Sequence, residues 1–289
     1  MRQMARNENM GRSVGGSIRQ ERGMIVNARR EWLPCLTQMW KEAFQDEEEE
    51  IRLFHQYLFR EELSWCYLAD QSPAAVIYGI PATVWTGQNG AKLPVLYLYG
   101  GATRQELRGK GYYGALIREV ARRGEGRRIP VLVPVKGMVP YYEGLGFHVV
   151  QKEKTEILHV PGGGEKTETF LSPVLPGRYK QIRDRLLGKP GYVEWGVDYL
   201  SYVLRSAARN GNLAVQLQTD REDHVVLARN AQAGLTVIDT TLRQEQLLRL
   251  SPYLRNDTDL PGTICIKGSV WMSTRTEWPC SPCFKISWE

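Results

Sequence analysis

Seven residues, Arg108-Gly109-Lys110-Gly111-Tyr112-Tyr113-Gly114, most restrict what this chain can become. They follow an apolar run rich in β-branched and aromatic residues, Pro94–Thr103 (PVLYLYGGAT). They open a segment, Tyr112 to about Arg123, in which Tyr113, Leu116, Ile117 and Val120 recur at helical spacing. The pattern predicts a strand, a loop and a helix. Glycines at 109 and 111 let consecutive backbone N–H groups converge without a Cβ in the way, and the positive end of the helix faces the same point. Arg108 and Lys110 add charge. Such a loop binds an anion, and a pyrophosphate is its natural occupant.

G-K-G-Y-Y-G formally matches the dinucleotide fingerprint G-x-G-x-x-G, but its surroundings do not. In a nicotinamide-binding unit the first glycine follows the strand at once, and a carboxylate ends the next strand. Here Arg104–Arg108 intervene, and the next strand, Ile129–Val135, runs into Lys136. The loop also follows antiparallel strands, because Ala74–Trp85 and Pro94–Thr103 flank the hairpin signal Asn89-Gly90. The nicotinamide reading is set aside.

Elsewhere, Trp32, Leu33, Leu36, Met39, Trp40 and Ala43 predict a helix from Arg30 to Phe44. The acidic run Asp46–Glu50 reads either as a patch for a cationic substrate or as a helix start. The helix start is preferred, with Asp46 as N-cap and glutamates at the positive end. Ser64–Asp70 reads as a strand, Val139–Leu145 as a short helix and Phe147–Val160 as a strand. Beyond the turn-rich Pro161–Glu168, a helix is expected over Tyr192–Ala207. Strands follow over Asn212–Asp220, His224–Asn230 and Leu235–Leu242, then a helix over Arg243–Leu254. The chain thus divides into a basic tail (1–23) with little to bury, a first domain (24–160), a linker (161–172) and a C-terminal α+β domain (173–289).

A length of 289 residues suits two medium domains, and no apolar run is long enough to cross a membrane. The first twenty residues lack the apolar segment of a signal peptide, so a cytoplasmic protein is expected. Cys35, Cys66, Cys265, Cys280 and Cys283 are too few and too scattered for a disulfide framework. Cys280-Ser-Pro-Cys283 has no second pair to complete a zinc site, and no metal is expected. Much of the excess in the net charge of +6 lies in the tail and in Arg122–Arg128, without aromatic platforms or a helix-turn-helix. An anionic small molecule accounts for it better than nucleic acid.

Pro140–Val150 (PYYEGLGFHVV) supplies a second motif. With the glycine loop it resembles the GCN5-related N-acetyltransferases, whose Arg/Gln-x-x-Gly-x-Gly/Ala loop binds the pyrophosphate of coenzyme A. The resemblance covers about Met24–Val160. It implies an α+β fold, a mixed and mostly antiparallel sheet flanked by helices, and the layout is similar to bacterial two-domain members of the enhanced-intracellular-survival type. The C-terminal half is then a degenerate domain of the same kind. The resemblance also implies that the backbone of Gly101, Ala102 and Thr103 pairs with the pantetheine arm. Arg108, Gly109, Lys110, Gly111, Tyr112, Tyr113 and Gly114 then wrap the diphosphate, with Tyr113 standing where a small residue is usual. Tyr142, counted back from Gly146-Phe147, matches the Tyr-x-x-x-Gly-Phe signature whose tyrosine protonates the departing thiolate. A core aromatic holding helix to sheet is the alternative reading of Tyr142. The asparagine often found seven residues earlier is Val135 here. In some relatives the C-terminal carboxylate reaches the site, which makes Glu289 a candidate base, whereas His55, His148, His159 and His224 read as surface or packing residues.

The implied activity is transfer of the acetyl group of acetyl-CoA to a primary amine of a small molecule or peptide, by direct attack in a ternary complex. The rivals are a non-catalytic acyl-CoA-binding or regulatory module and a protein acetyltransferase. The expected partners are acetyl-CoA and an amine acceptor, without membrane or nucleic acid, and a homo-oligomer stays open.

Overall fold

The computed structural model of the chain describes residues 23–87, 90–124, 126–160, 170–218, 222–231, 234–254 and 262–283. In chain order, β1 (Met24–Asn27) leads to helices α1 (Leu33–Phe44) and α2 (Glu48–Leu58), then to β2 (Ser64–Ala69), β3 (Ser72–Trp85) and β4 (Lys92–Thr103). Next come α3 (Tyr112–Gly124), β5 (Ile129–Leu132), α4 (Val139–Glu143), β6 (His148–Gln151), β7 (Lys154–Val160) and β8 (Phe170–Pro173). They are followed by α5 (Pro176–Leu187), β9 (Val193–Trp195), α6 (Val197–Arg209), β10 (Leu213–Gln218), β11 (Asp223–Ala231) and β12 (Gly234–Thr240). The chain closes on α7 (Gln244–Leu254), β13 (Gly262–Gly268) and β14 (Trp271–Ser273).

These strands form two sheets. The first has the order β1-β2-β3-β4-β5-β14-β6, with β9 alongside the end of β3, and β4–β5 is its parallel pair. The second runs β7-β13-β12-β11-β10-β8, with β12–β13 parallel. Both are the mixed, mostly antiparallel sheets of an α+β protein. They also exchange strands: β9 and β14, late in the chain, join the first sheet, while β7 pairs with β13 in the second.

Strand alternation divides the core. Val95 and Tyr97 of β4 face α1, α2 and α6, where they meet Trp40, Phe54, Trp195, Tyr199, Tyr202 and Trp271. Leu96 and Leu98 face α3, against Leu116, Ile117 and Val120. The aromatic side of this core joins the two halves. Tyr97 lies 4.6 Å from Trp271 and 5.7 Å from Trp195, and Phe54 lies 5.6 Å from Tyr202, between ring centroids.

Three expectations need correction. Phe147–Val160 is two strands, broken at Lys152-Glu153 where the chain leaves one sheet for the other. Tyr192–Ala207 begins as β9, whose Val193 and Trp195 are buried with period two, and Gly196 then caps α6. The N-cap of α2 is Glu47 and not Asp46; Asp46 accepts a hydrogen bond from Trp40 Nε1 at 2.8 Å. Helix α5 has no counterpart in the sequence reading, and it buries Tyr179, Ile182 and Arg183. Asn89 of the β3–β4 turn lies outside the described residues, but the two strands pair as the hairpin signal predicts.

Candidate active site

The site starts where two strands part. β4 and β5 pair only from Val95–Ile129 to Leu98–Leu132, so Tyr99–Thr103 carry backbone groups with no ladder partner on that side among the described residues. A bulge sharpens the divergence: Ala102 opposes Val76 and Tyr99 opposes Tyr78, leaving an extra residue on β4 around Gly100-Gly101. An extended ligand can add to such an edge as a strand does.

The glycine loop lies just beyond this edge. Gly109 and Gly111 both have φ of +79°, a left-handed conformation that favours glycine, and an added Cβ would touch nothing within 4 Å. The glycines are therefore required by backbone shape, and the ground above them is open. The first α-helical bond of α3 runs from Ala115 N–H to the Gly111 carbonyl at 3.0 Å, so the preceding amides have no partner within the helix. Arg108 folds back, donating from Nε to the Thr103 carbonyl at 3.3 Å and from Nη2 to the Glu42 carbonyl at 3.1 Å. Glu42 also accepts a bond from the Gln105 N–H at 3.3 Å, tying the C-terminal turn of α1 to the loop. Lys110 is exposed, Tyr112 stacks on Tyr67 with centroids 4.6 Å apart, and Gly114 is buried beneath Tyr141.

The second motif reaches the same place through Tyr113. A Cβ on Gly101 would lie 2.2 Å from the Tyr113 hydroxyl, so only glycine lets that ring sit against the strand. The Tyr113 hydroxyl is 3.2 Å from that of Tyr142. The residue that departs from the small-residue pattern thus links the diverging strand to the tyrosine of the signature. Burial pushes the Tyr142 phenol above its ordinary value, while the Tyr113 hydrogen bond pulls it partly back. Burial, with Tyr142 nearby, raises the Tyr113 phenol further. Both side chains are neutral proton donors at physiological pH.

On the other face of β4 a cleft of about 590 Å³ opens at the point of divergence. Leu98 and Tyr99 of β4 line it with Val133, Val135 and Lys136 after β5, Trp40 of α1, and the acidic stretch before and within α2. Tyr202, Arg209 and Asn210 of the C-terminal half complete the wall. Sequence reasoning misses this cleft, because its residues are far apart in the chain. The acidic run Asp46–Glu50 was its one visible trace, and the helix-start reading accounted for the same charges. His148 and His159 are exposed, and His55 and His224 are buried packing residues. Glu289 lies outside the described residues.

Residues 25–150 match the family model of the acetyltransferase (GNAT) domain, so the chain carries a domain of the GNAT superfamily. The matched description is that of an acetyltransferase domain. The likeness of fold extends through the second sheet. A GCN5-related N-acetyltransferase from Anabaena variabilis is 16% identical over 87% of this chain and 72% of that chain, with a TM-score of 0.67. One from Kribbella flavida is 15% identical over 87% and 71%, with a TM-score of 0.64. Eis1 from Mycobacterium abscessus is 10% identical over 84% and 65%, with a TM-score of 0.62. No curated protein matches the chain.

Proposed function

We propose that the protein transfers the acetyl group of acetyl-CoA to a primary amine of a small molecule or peptide, by direct attack while both are bound. The observation that carries this reading is the convergence at one divergence of strands of an unpaired β4 edge, a glycine loop and a tyrosine pair. The backbone of Gly101–Thr103 aligns the pantetheine arm, and a backbone N–H near Ala102–Thr103 polarises the thioester carbonyl. Arg108–Gly114 hold the diphosphate, for which Arg108 exchanges its present carbonyl partners for phosphate oxygens. Tyr142 donates its proton to the departing sulfur. The acceptor enters through the cleft beside Tyr99, whose acidic lining favours a cation.

The test is thiol release from acetyl-CoA over a panel of polyamines, aminoglycosides, amino acids and peptides. Release with at least one amine, with the acetylated product identified by mass, is expected. Acetyl-CoA binding without release for any amine would leave a binding module. Release with lysine-containing proteins alone would make the protein a protein acetyltransferase.

A further inference from the structure

The two sheets repeat one unit. In the first, the antiparallel hairpin β3–β4 is followed by α3 and then by β5, parallel to β4. In the second, the hairpin β11–β12 is followed by α7 and then by β13, parallel to β12. The last strand of each unit has an antiparallel neighbour on its outer side, and each neighbour comes from the other half. β7, which follows β6, crosses to pair with β13; β14, which follows β13, crosses back to lie between β5 and β6. Both crossings take two residues, Lys152-Glu153 one way and Ser269-Val270 the other. They pass side by side. Gly268 pairs with Lys154, Trp271 pairs with Gln151, and Gln151 Nε2 donates to the Ser269 carbonyl at 3.1 Å. The halves are thus a reciprocally swapped pair within one chain.

The swap sets a strand of the second half against the candidate site. β5 has β4 on one side and β14 on the other. Leu98–Leu132 is the last rung before β4 and β5 part, and Met272 pairs with that same Leu132 from the far side. One residue further in this register, Trp271 stands level with Val133, which lines the cleft. The Trp271 ring lies 4.6 Å from that of Tyr97, another lining residue, and 6.1 Å from that of Trp195. Ser273 Oγ donates to the Pro130 carbonyl of β5 at 3.0 Å. All three side chains of β14 are buried, with Trp271 in the aromatic core and Met272 in the core beneath α3. A three-residue strand has few ladder bonds, so these side chains decide where it lies.

We propose that β14 is a positioning strand of the acetyl-transfer site; this rests on the acetyl-transfer reading. Trp271 and Ser273, supplied by the C-terminal half, fix where β5 leaves β4. They thereby set the cleft wall of Tyr97 and Val133 against a thioester aligned along Gly101–Thr103. The strand touches no reactant and acts on alignment alone. A misplacement of about 1 Å that starts far from the chemistry can cost roughly 100-fold in rate. The glycine loop lies apart from β14, so acetyl-CoA binding does not depend on it.

The test uses full-length variants, with the acceptor that releases thiol fastest among polyamines, aminoglycosides, amino acids and peptides. Trp271→Leu is expected to lower kcat about tenfold to 100-fold, with the KM for acetyl-CoA within about twofold of wild type. Trp271→Phe should regain most of the rate. Leu247→Ala, in the core of the second sheet, is the control for stability alone. It should lower the melting temperature and leave kcat within about twofold of wild type. Hydrogen exchange reads the geometry without turnover. Amides of residues 96–103 and 131–135 should exchange about tenfold or more faster in Trp271→Leu, and at the wild-type rate in Leu247→Ala. If Trp271→Leu does not fold, Ser273→Ala replaces it and must speed exchange in the same two segments. Wild-type exchange there, or a kcat that falls no further than in Leu247→Ala, overturns the proposal. Faster exchange while no amine releases thiol overturns the acetyl-transfer reading and leaves β14 as the strand that holds the divergence.

Discussion

The proposed donor side and the proposed acceptor side of this site are built in different ways. The donor side comes from residues 101–114 and 142–147, and its working parts are backbone features: two left-handed glycines, an unpaired strand edge and a helix start. The acceptor cleft is walled by side chains from Trp40 to Asn210, drawn from α1, α2, β4, the segment after β5 and the end of α6. Backbone geometry demands particular residue types at short spacing, so it leaves a motif. A cleft walled by side chains at tertiary contacts can be made in many ways, and leaves none.

The largest expected effect breaks the donor side alone. Gly111→Asp places an L side chain at φ +79° and a negative charge where an anion belongs. Acetyl-CoA should raise the melting temperature of wild type, and the rise should vanish in the variant. A persisting shift would remove the loop from the binding site.

Next in size is the attachment of the second half. Arg183 of α5 is fully buried, pairing with Asp239 of β12 at 2.8 Å and donating to the Tyr192 hydroxyl at 3.0 Å and the Val193 carbonyl at 3.1 Å. Tyr179 also donates to Asp239, at 2.7 Å. The network therefore ties the second sheet to β9, which belongs to the first. Asp239→Asn strands a buried guanidinium and should cost about 3–5 kcal/mol in urea unfolding. Because the donor side lies apart from this network, the acetyl-CoA shift should survive below the new melting point. Its loss would mean that the halves are less separable than the two-sided picture holds.

Acid should also weaken the packing of α2. His55 of α2, packed among Trp40, Phe54, Phe59 and Tyr78, is held neutral by burial, with its pKa lowered from 6.5 to about 4. The unfolded chain binds this proton more readily, so the contribution is complete above pH 6.5 and is lost as pH falls toward 4. The full loss is about 3 kcal/mol, from the shift per pKa unit. Unfolding free energies at pH 7 and pH 4.5 should differ less in His55→Gln than in wild type, and an equal difference would assign the acid sensitivity elsewhere.

The same contrast explains what was legible in the sequence. The strand, glycine loop and α3 were legible because periodicity two gives way to helical spacing across a turn that only glycine can make. The exchange of strands was not. β9 and β14 have three residues each, too few for any period to show, and their place is decided by Trp195 and Trp271 filling the aromatic core around Tyr97. The amphipathic pattern of α6 identifies a helix, but nothing in it says that Tyr202 meets Glu50 of a distant helix. Tyr113 was legible as a departure from pattern; its hydroxyl partner became visible only once α3 and α4 were packed together.

Tyr142→Phe removes the proposed donor of the last proton without altering the loop. Turnover is expected to fall about 100-fold, the lower range for general acid catalysis, with the acetyl-CoA thermal shift retained. A wild-type rate in this variant would return Tyr142 to the core role that its packing against Phe147 also allows.

Tyr113→Phe makes the finest cut, since it keeps the ring against Gly101 and removes only the hydroxyl bonded to Tyr142. In the proposed reaction Tyr142 gives its proton to sulfur and the Tyr113 hydroxyl donates to the phenolate left behind; the same bond lowers the Tyr142 pKa against the effect of burial. Losing it should cost about 1 kcal/mol, roughly a fivefold fall in kcat, with acetyl-CoA affinity nearly unchanged. The pH profile separates this from a packing effect. Because burial holds the Tyr142 phenol above its ordinary value of about 10, the wild-type rate should show no alkaline fall below that pH, and in Tyr113→Phe the fall should move higher still. An alkaline limb below pH 9 that ignores Tyr113 would place the acid on another group, and the tyrosine pair would then join the donor side's scaffold and not its chemistry.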